Sequence, residues 1–176
     1  MRRVTIALTA AGALIMVLAL SAGPVLAAAP AAAVTHTWGN AIEVPGSAAL
    51  NAGTSAETES VSCPTSGNCS AGGFYTESGG HQQAFVVTQT GGTWGQAIEV
   101  PGLAALNTGG YATVFSVSCA SAGNCTAGGV YQDSSRIQHA FVTTEAGGTW
   151  GQAIEVPGTA TLGPNANVTS VSCTAP

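Results

Sequence analysis

The chain contains no lysine and only three arginines against eight aspartates and glutamates, and charged residues make up 6% of its 176 positions. Globular proteins ordinarily devote about a quarter of their residues to charge. Arg2 and Arg3 fall in an N-terminal segment whose loss would take the formal net charge from −5 to −7 and leave Arg136 as the sole permanent cation. Neutralising nucleic-acid phosphates, polybasic attachment to anionic lipid and a multi-arginine grip on acidic substrates all need several cations together. One arginine excludes all three. Aromatic residues are also scarce, at 6%, and no apolar run beyond the N-terminus approaches the length of a membrane-spanning helix. What is abundant is serine, threonine, asparagine and glycine; the 24 glycines are about twice the usual share.

At the N-terminus, Arg2 and Arg3 precede an apolar stretch from Val4 to Leu20, the breakers Gly23-Pro24 and the small-residue run Leu26-Ala27-Ala28-Ala29. This order reads as a secretory signal peptide over residues 1–29, cleaved after Ala27 or Ala29. Sec-type export is expected, because Val4-Thr5-Ile6 does not continue a twin-arginine signal. No cysteine near the cleavage region could take a lipid. The expected location is extracellular, with no stable membrane association, and residues 30–36 read as a short linker.

The remainder, residues 37–176, repeats. Thr93 to Gly102, Thr-Trp-Gly-Gln-Ala-Ile-Glu-Val-Pro-Gly, recurs unchanged at Thr149 to Gly158 and with Asn40 for glutamine at Thr37 to Gly46, 56 residues apart each time. Val-Ser-Cys ends at Cys63, Cys119 and Cys173, spaced 56 and 54 residues apart, and Gly-Asn-Cys ends at Cys69 and Cys125. Repeats of this length are supersecondary units that bury their faces against neighbours. Within the second unit, Val114 to Cys119, Cys125 to Tyr131, Ala140 to Glu145 and Trp150 to Val156 carry strand signals, separated by Ser-Ala-Gly-Asn and Gly147-Gly148 turns, with no helical periodicity. Strict alternation in the last strand would put Trp150, Gln152, Ile154 and Val156 on one face and Gly151, Ala153 and Glu155 on the other. The expected fold is all-β: four-stranded antiparallel blades of about 56 residues in a partial, unclosed β-propeller. The expected divisions are an orphan fourth strand at 37–46, blade 1 at 60–102, blade 2 at 114–158 and the start of a third blade at 168–176.

Thr143-Thr144-Glu145-Ala146-Gly147-Gly148-Thr149-Trp150 resembles the Asp-box, the Ser/Thr-x-Asp-x-Gly-x-Thr-Trp hairpin of sialidase-type (BNR) β-propellers, which joins the third and fourth strands of a blade. The preceding copy, Val87 to Trp94, keeps Gly91, Thr93 and Trp94 but has Gln89 at the acidic position and Val87 at the hydroxyl position. The whole unit, paired cysteines included, resembles the secreted Val-Ser-Cys repeat proteins of actinobacteria, most of which have no assigned activity.

Cys63 with Cys69, and Cys119 with Cys125, each lie across a hairpin mouth between first and second strands. In an exported protein this spacing reads as two disulfides. A five-residue gap without a recurring histidine does not suit zinc, and no Cys-x-x-Cys redox pair occurs. The corresponding partner of Cys173 would fall beyond Pro176, so Cys173 is expected to be an unpaired thiol in a truncated third unit. Open blade edges then suggest self-association.

A sialidase-like hydrolase would need three arginines, a Tyr/Glu nucleophile pair and an acid/base aspartate; only Arg136 is present, and Tyr75, Tyr111 and Tyr131 sit at strand ends. Glu43, Glu99 and Glu155 recur once per unit and read as a solvated rim, not as the paired acids of a glycosidase. His81 and His139 are not equivalent: His139 aligns with Gln83, so they read as surface histidines and not as repeated metal ligands. The sequons at Asn68, Asn124 and Asn167 are not read as glycosylation sites, the first two being held in tight cysteine hairpins. No catalytic, cofactor or metal site is expected, and the partner is an unidentified extracellular protein or glycan. The alternative is a lectin-like module in which Trp38, Trp94 and Trp150 stack on sugar rings, and otherwise these tryptophans pack the hairpin of the next blade.

Overall fold

The computed structural model describes residues 39–174. The expected signal peptide and linker, Thr37 and Trp38 of the expected orphan strand, and Ala175 and Pro176 of the expected third blade lie outside them.

Two antiparallel sheets follow each other along the chain. The first is built from β1 (Ala56–Thr65), β2 (Asn68–Thr76), β3 (Gln82–Thr90), β4 (Thr93–Trp94) and β5 (Ile98–Glu99). The second repeats it with β6 (Ala112–Ser121), β7 (Asn124–Gln132), β8 (Gln138–Ala146), β9 (Thr149–Trp150) and β10 (Ile154–Glu155). The order is a meander, with both short pieces of the final strand paired to β3 or β8. One-turn helices α1 (Ser47–Leu50) and α2 (Leu103–Leu106) follow the Pro-Gly steps, a feature the strand pattern did not anticipate. Gly46 and Gly102 start them at φ 83° and 75°, a left-handed conformation that costs glycine little.

The final strand departs from simple alternation. After Trp150, the Gly151 amide bonds to Thr144 O at 2.8 Å, and the chain then leaves the sheet so that the Ala153 amide reaches Pro101 O of the preceding repeat at 2.8 Å. Ala97 does the same to Pro45 O at 2.7 Å. The extra residues shift the register, so Trp150 and Ala153 are both buried while Ile154 is half exposed. The expected face assignment is therefore corrected: a link to the preceding unit interrupts the period of two.

The first strand is bulged as well. The register of β6 on β7 skips at Phe115, as that of β1 on β2 skips at Glu59. The bulge turns Val114 and Val117 to the same side, and both are buried between the sheets. The core there joins Ala84, Val86, Val100 and Leu103 of the first repeat to Val114, Val117, Ala127, Phe141 and Trp150 of the second. Close approach depends on the glycine pair of the second strand. A Cβ on Gly72 would lie 2.8 Å from a Val114 methyl, and one on Gly128 would meet Val168 and Val171. Gly73 and Gly129 serve their own sheet, where a Cβ would strike the carbonyl of Glu57 or Thr113 opposite the bulge.

The flanking pieces are less regular than expected. Residues 39–44 form no strand, and neither do residues 168–173. Each still docks on its neighbouring sheet: Val44 packs beside Phe85 and Trp94, and Val168 N–H donates to Gly129 O at 3.1 Å.

Candidate functional site

The Val-Ser-Cys marker is a joint between units. The inner edge of β6 lies beside β1 without a backbone ladder between them; instead Ser60 Oγ accepts from the Val117 amide at 2.9 Å and Ser62 Oγ from the Cys119 amide at 3.0 Å. Ser116 and Ser118 repeat this toward Val171 and Cys173, at 3.1 and 2.9 Å. Serine is suited to the task because its short side chain reaches a neighbouring backbone without filling the space the valines need. The motif Ser-Val-Ser-Cys thus places two acceptors for the next unit and two amides for the previous one.

Gly-Asn-Cys is a turn lock. Asn68 Oδ1 accepts from the Gly91 amide at 3.2 Å, and its Nδ2 donates to Thr65 Oγ1 at 3.1 Å, tying the β1–β2 turn to the β3–β4 turn. Asn124 repeats this with Gly147 and Ser121. The disulfides Cys63–Cys69 and Cys119–Cys125 are both formed, and Cys173 is an unpaired, half-buried thiol.

Glu145, the acid of the Asp-box-like segment, is the one buried carboxylate among the described residues. It crosses to the first sheet, where Ser70 Oγ donates to it at 2.8 Å and Thr88 Oγ1 at 2.6 Å. Thr88 Oγ1 in turn accepts from Trp150 Nε1 at 3.1 Å. Trp150, only 8% exposed, therefore packs on the preceding sheet, which corrects the expectation that it packs toward the next. Gln89, in the matching position of the first unit, instead turns back to Gly92 O at 3.2 Å. Trp94 is half exposed and lines a groove.

The recurring glutamates are not a free rim. Tyr75 OH donates to Glu99 at 3.2 Å, and Tyr131 OH to Glu155 at 3.1 Å. Burial, aided by the hydrogen bond to Glu155 and its negative charge, pushes the Tyr131 phenol up to about 12, and the same causes raise Tyr75 further. Sequence reasoning missed these pairs because tyrosine and glutamate stand 24 residues apart. Their recurrence at one position per repeat was the available signal.

The densest group of ionisable residues surrounds His139. Its Nε2 lies 3.2 Å from Asp133 Oδ2, its Nδ1 3.4 Å from Glu155 Oε1, and its ring stacks on Tyr131 at 5.1 Å between centroids. Backbone amides of Ile137 and Ser135 and the His139 ring hold Asp133 below the usual carboxylate range. His139 is thus a largely buried strand residue held between two acids, not the surface histidine expected. It borders a cleft of about 420 Å³ lined by Ile137, Thr159, Pro164 and Ala166. His81, in contrast, is exposed and pairs with Glu77 at 3.0 Å. Among the described residues no cluster of three or more histidine, cysteine or acidic side chains could hold a metal ion.

Compared with models of known protein families, the chain matches none. No curated protein matches it either.

Proposed function

We propose that the protein is a secreted, non-catalytic repeat protein whose two sheets are successive blades of an unclosed β-propeller, with an extracellular interaction or structural role. The observation that carries this reading is how the repeated polar groups are used. The serines of the first two Ser-Val-Ser-Cys copies, the asparagines of Gly-Asn-Cys, and the Tyr–Glu pairs make bonds within or between units, as does Glu145. Catalysis needs polar groups held ready for a substrate. A tyrosine nucleophile must lose its proton, whereas the environments of Tyr75 and Tyr131 favour the protonated phenol.

Two disulfides fit an oxidising compartment, and no helix among the described residues is long and apolar enough to cross a membrane. Export predicts that mass spectrometry of protein from the culture medium finds a chain beginning at Ala28 or Pro30; retention of residues 1–27 in cell membranes would reject it.

The lectin reading rests on Trp94, the described tryptophan with exposed ring surface. Titrating soluble polysaccharides against tryptophan emission separates the two functions. The interaction reading expects no change. A saturable change that Trp94→Phe abolishes would establish the lectin instead.

A further inference from the structure

The outer face of the first sheet carries a groove of about 220 Å³ lined by Ile42, Val44, Thr58, Val61, Ala71 and Trp94. One repeat later, the residues equivalent to Thr58, Val61, Ala71 and Trp94 are Val114, Val117, Ala127 and Trp150. Those form the face that the first sheet covers, and none is more than 8% exposed. Val61, in contrast, is 58% exposed. The internal junction therefore states what fits this face. Gly72 of β2 receives Val114, while Ala84 and Val86 of β3 join the apolar contact and Thr88 accepts from the indole.

We propose that this face is a docking seat for a β-hairpin of another polypeptide that carries the same surface. Its one strand presents Ser/Thr-x-Gly and the other Ala-x-Val-x-Thr, so that the glycine lies over Thr58 and Val61 and the threonine hydroxyl meets Trp94 Nε1. The segment that would flank such a hairpin on the outside is already supplied by this chain, irregular though it is, since Val44 packs against the first sheet as Val100 packs between the two sheets. A hairpin supplies the missing middle. Partner chemistry is neutral: where Glu145 accepts two hydroxyls at the internal junction, the open face has Gln89, whose amide bonds its own turn. The seat thus lacks the buried carboxylate that clamps the internal junction, and its occupant exchanges. This inference deepens the interaction role proposed above and rests on it.

The test uses the full chain with a synthetic peptide of residues 68–90 in which Cys69 is replaced by serine, a hairpin sequence that contains no tryptophan. Expected are saturable binding and a blue shift of emission that Trp94→Phe removes. Val61→Asp, at a position exposed in the fold, should weaken binding at least about tenfold, as should a Gly72→Leu change in the peptide. Circular dichroism and unaltered unfolding of V61D confirm that the chain itself is intact. Absence of saturable binding, or binding indifferent to both substitutions, overturns the seat, as does a dimer of the chain that V61D abolishes and the peptide cannot dissociate. The polysaccharide titration is independent: a sugar response removes the interaction role and the seat together, whereas a failed peptide alone removes only the seat.

Discussion

At the scale of single residues, the polar groups that recur from unit to unit serve as joints. Glu145 is the most consequential, because a buried carboxylate is tolerated only where hydroxyls replace its water. Glu145→Ala should lower unfolding free energy by about 2–4 kcal/mol, as two hydroxyls lose a charged acceptor and a cavity opens; Glu145→Gln should cost less. Urea titration measures both, and a neutral E145A would contradict the clasp. The raised phenols give a pH dependence whose sign follows from linkage. Because Tyr131 holds its proton more tightly when folded, its contribution is complete below about pH 10 and is lost as pH rises through about 12. Stability should therefore decline over that alkaline window, and Tyr131→Phe should flatten part of the decline.

At the scale of elements, the inner strands meet through serine side chains and not through a backbone ladder. Ser60→Ala with Ser62→Ala leaves the Val117 and Cys119 amides without acceptors, costing about 1–3 kcal/mol for each group kept from water. Hydrogen exchange should show those two amides opening faster, while the amides that join β2 to β3 stay protected; uniform acceleration would mean that the whole fold had loosened. The hairpin disulfides act on the unfolded chain. Each closes a loop spanning six positions in sequence, for which chain entropy gives about 2 kcal/mol. Replacing Cys119 and Cys125 together by serine should lower stability by that amount without changing the emission of Trp150.

At the scale of the whole molecule, stability arises between units as much as within them. Val114, Val117 and Trp150 are buried only because a second sheet is present, and each such side chain is worth about 1.5–3 kcal/mol. Gly72 controls that contact. Gly72→Val would push a side chain into Val114 and should cost at least about 1–3 kcal/mol from overpacking, with the loss concentrated in the second unit's docking. Limited proteolysis between Gly102 and Tyr111 would report it, and an unchanged cleavage rate would show that the sheets tolerate separation.

The all-β character, the 56-residue period, the strand positions within the two full units and both cysteine pairings were legible in the sequence, because they depend on local turn chemistry and on patterns copied from unit to unit. The repeat also marked which serines, asparagines and glutamates mattered, without saying what they touch. Bulges hid the rest: one inserted residue in each first strand and a detour in each fourth strand reverse which side chains face inward, and neither leaves a trace in composition. Only the tertiary structure decided that Trp150 looks back to Thr88, that Glu145 is buried and that Tyr131 pairs with Glu155. Those contacts join residues far apart in sequence or in different units, and their geometry is fixed by how two sheets stack, which no single unit specifies alone.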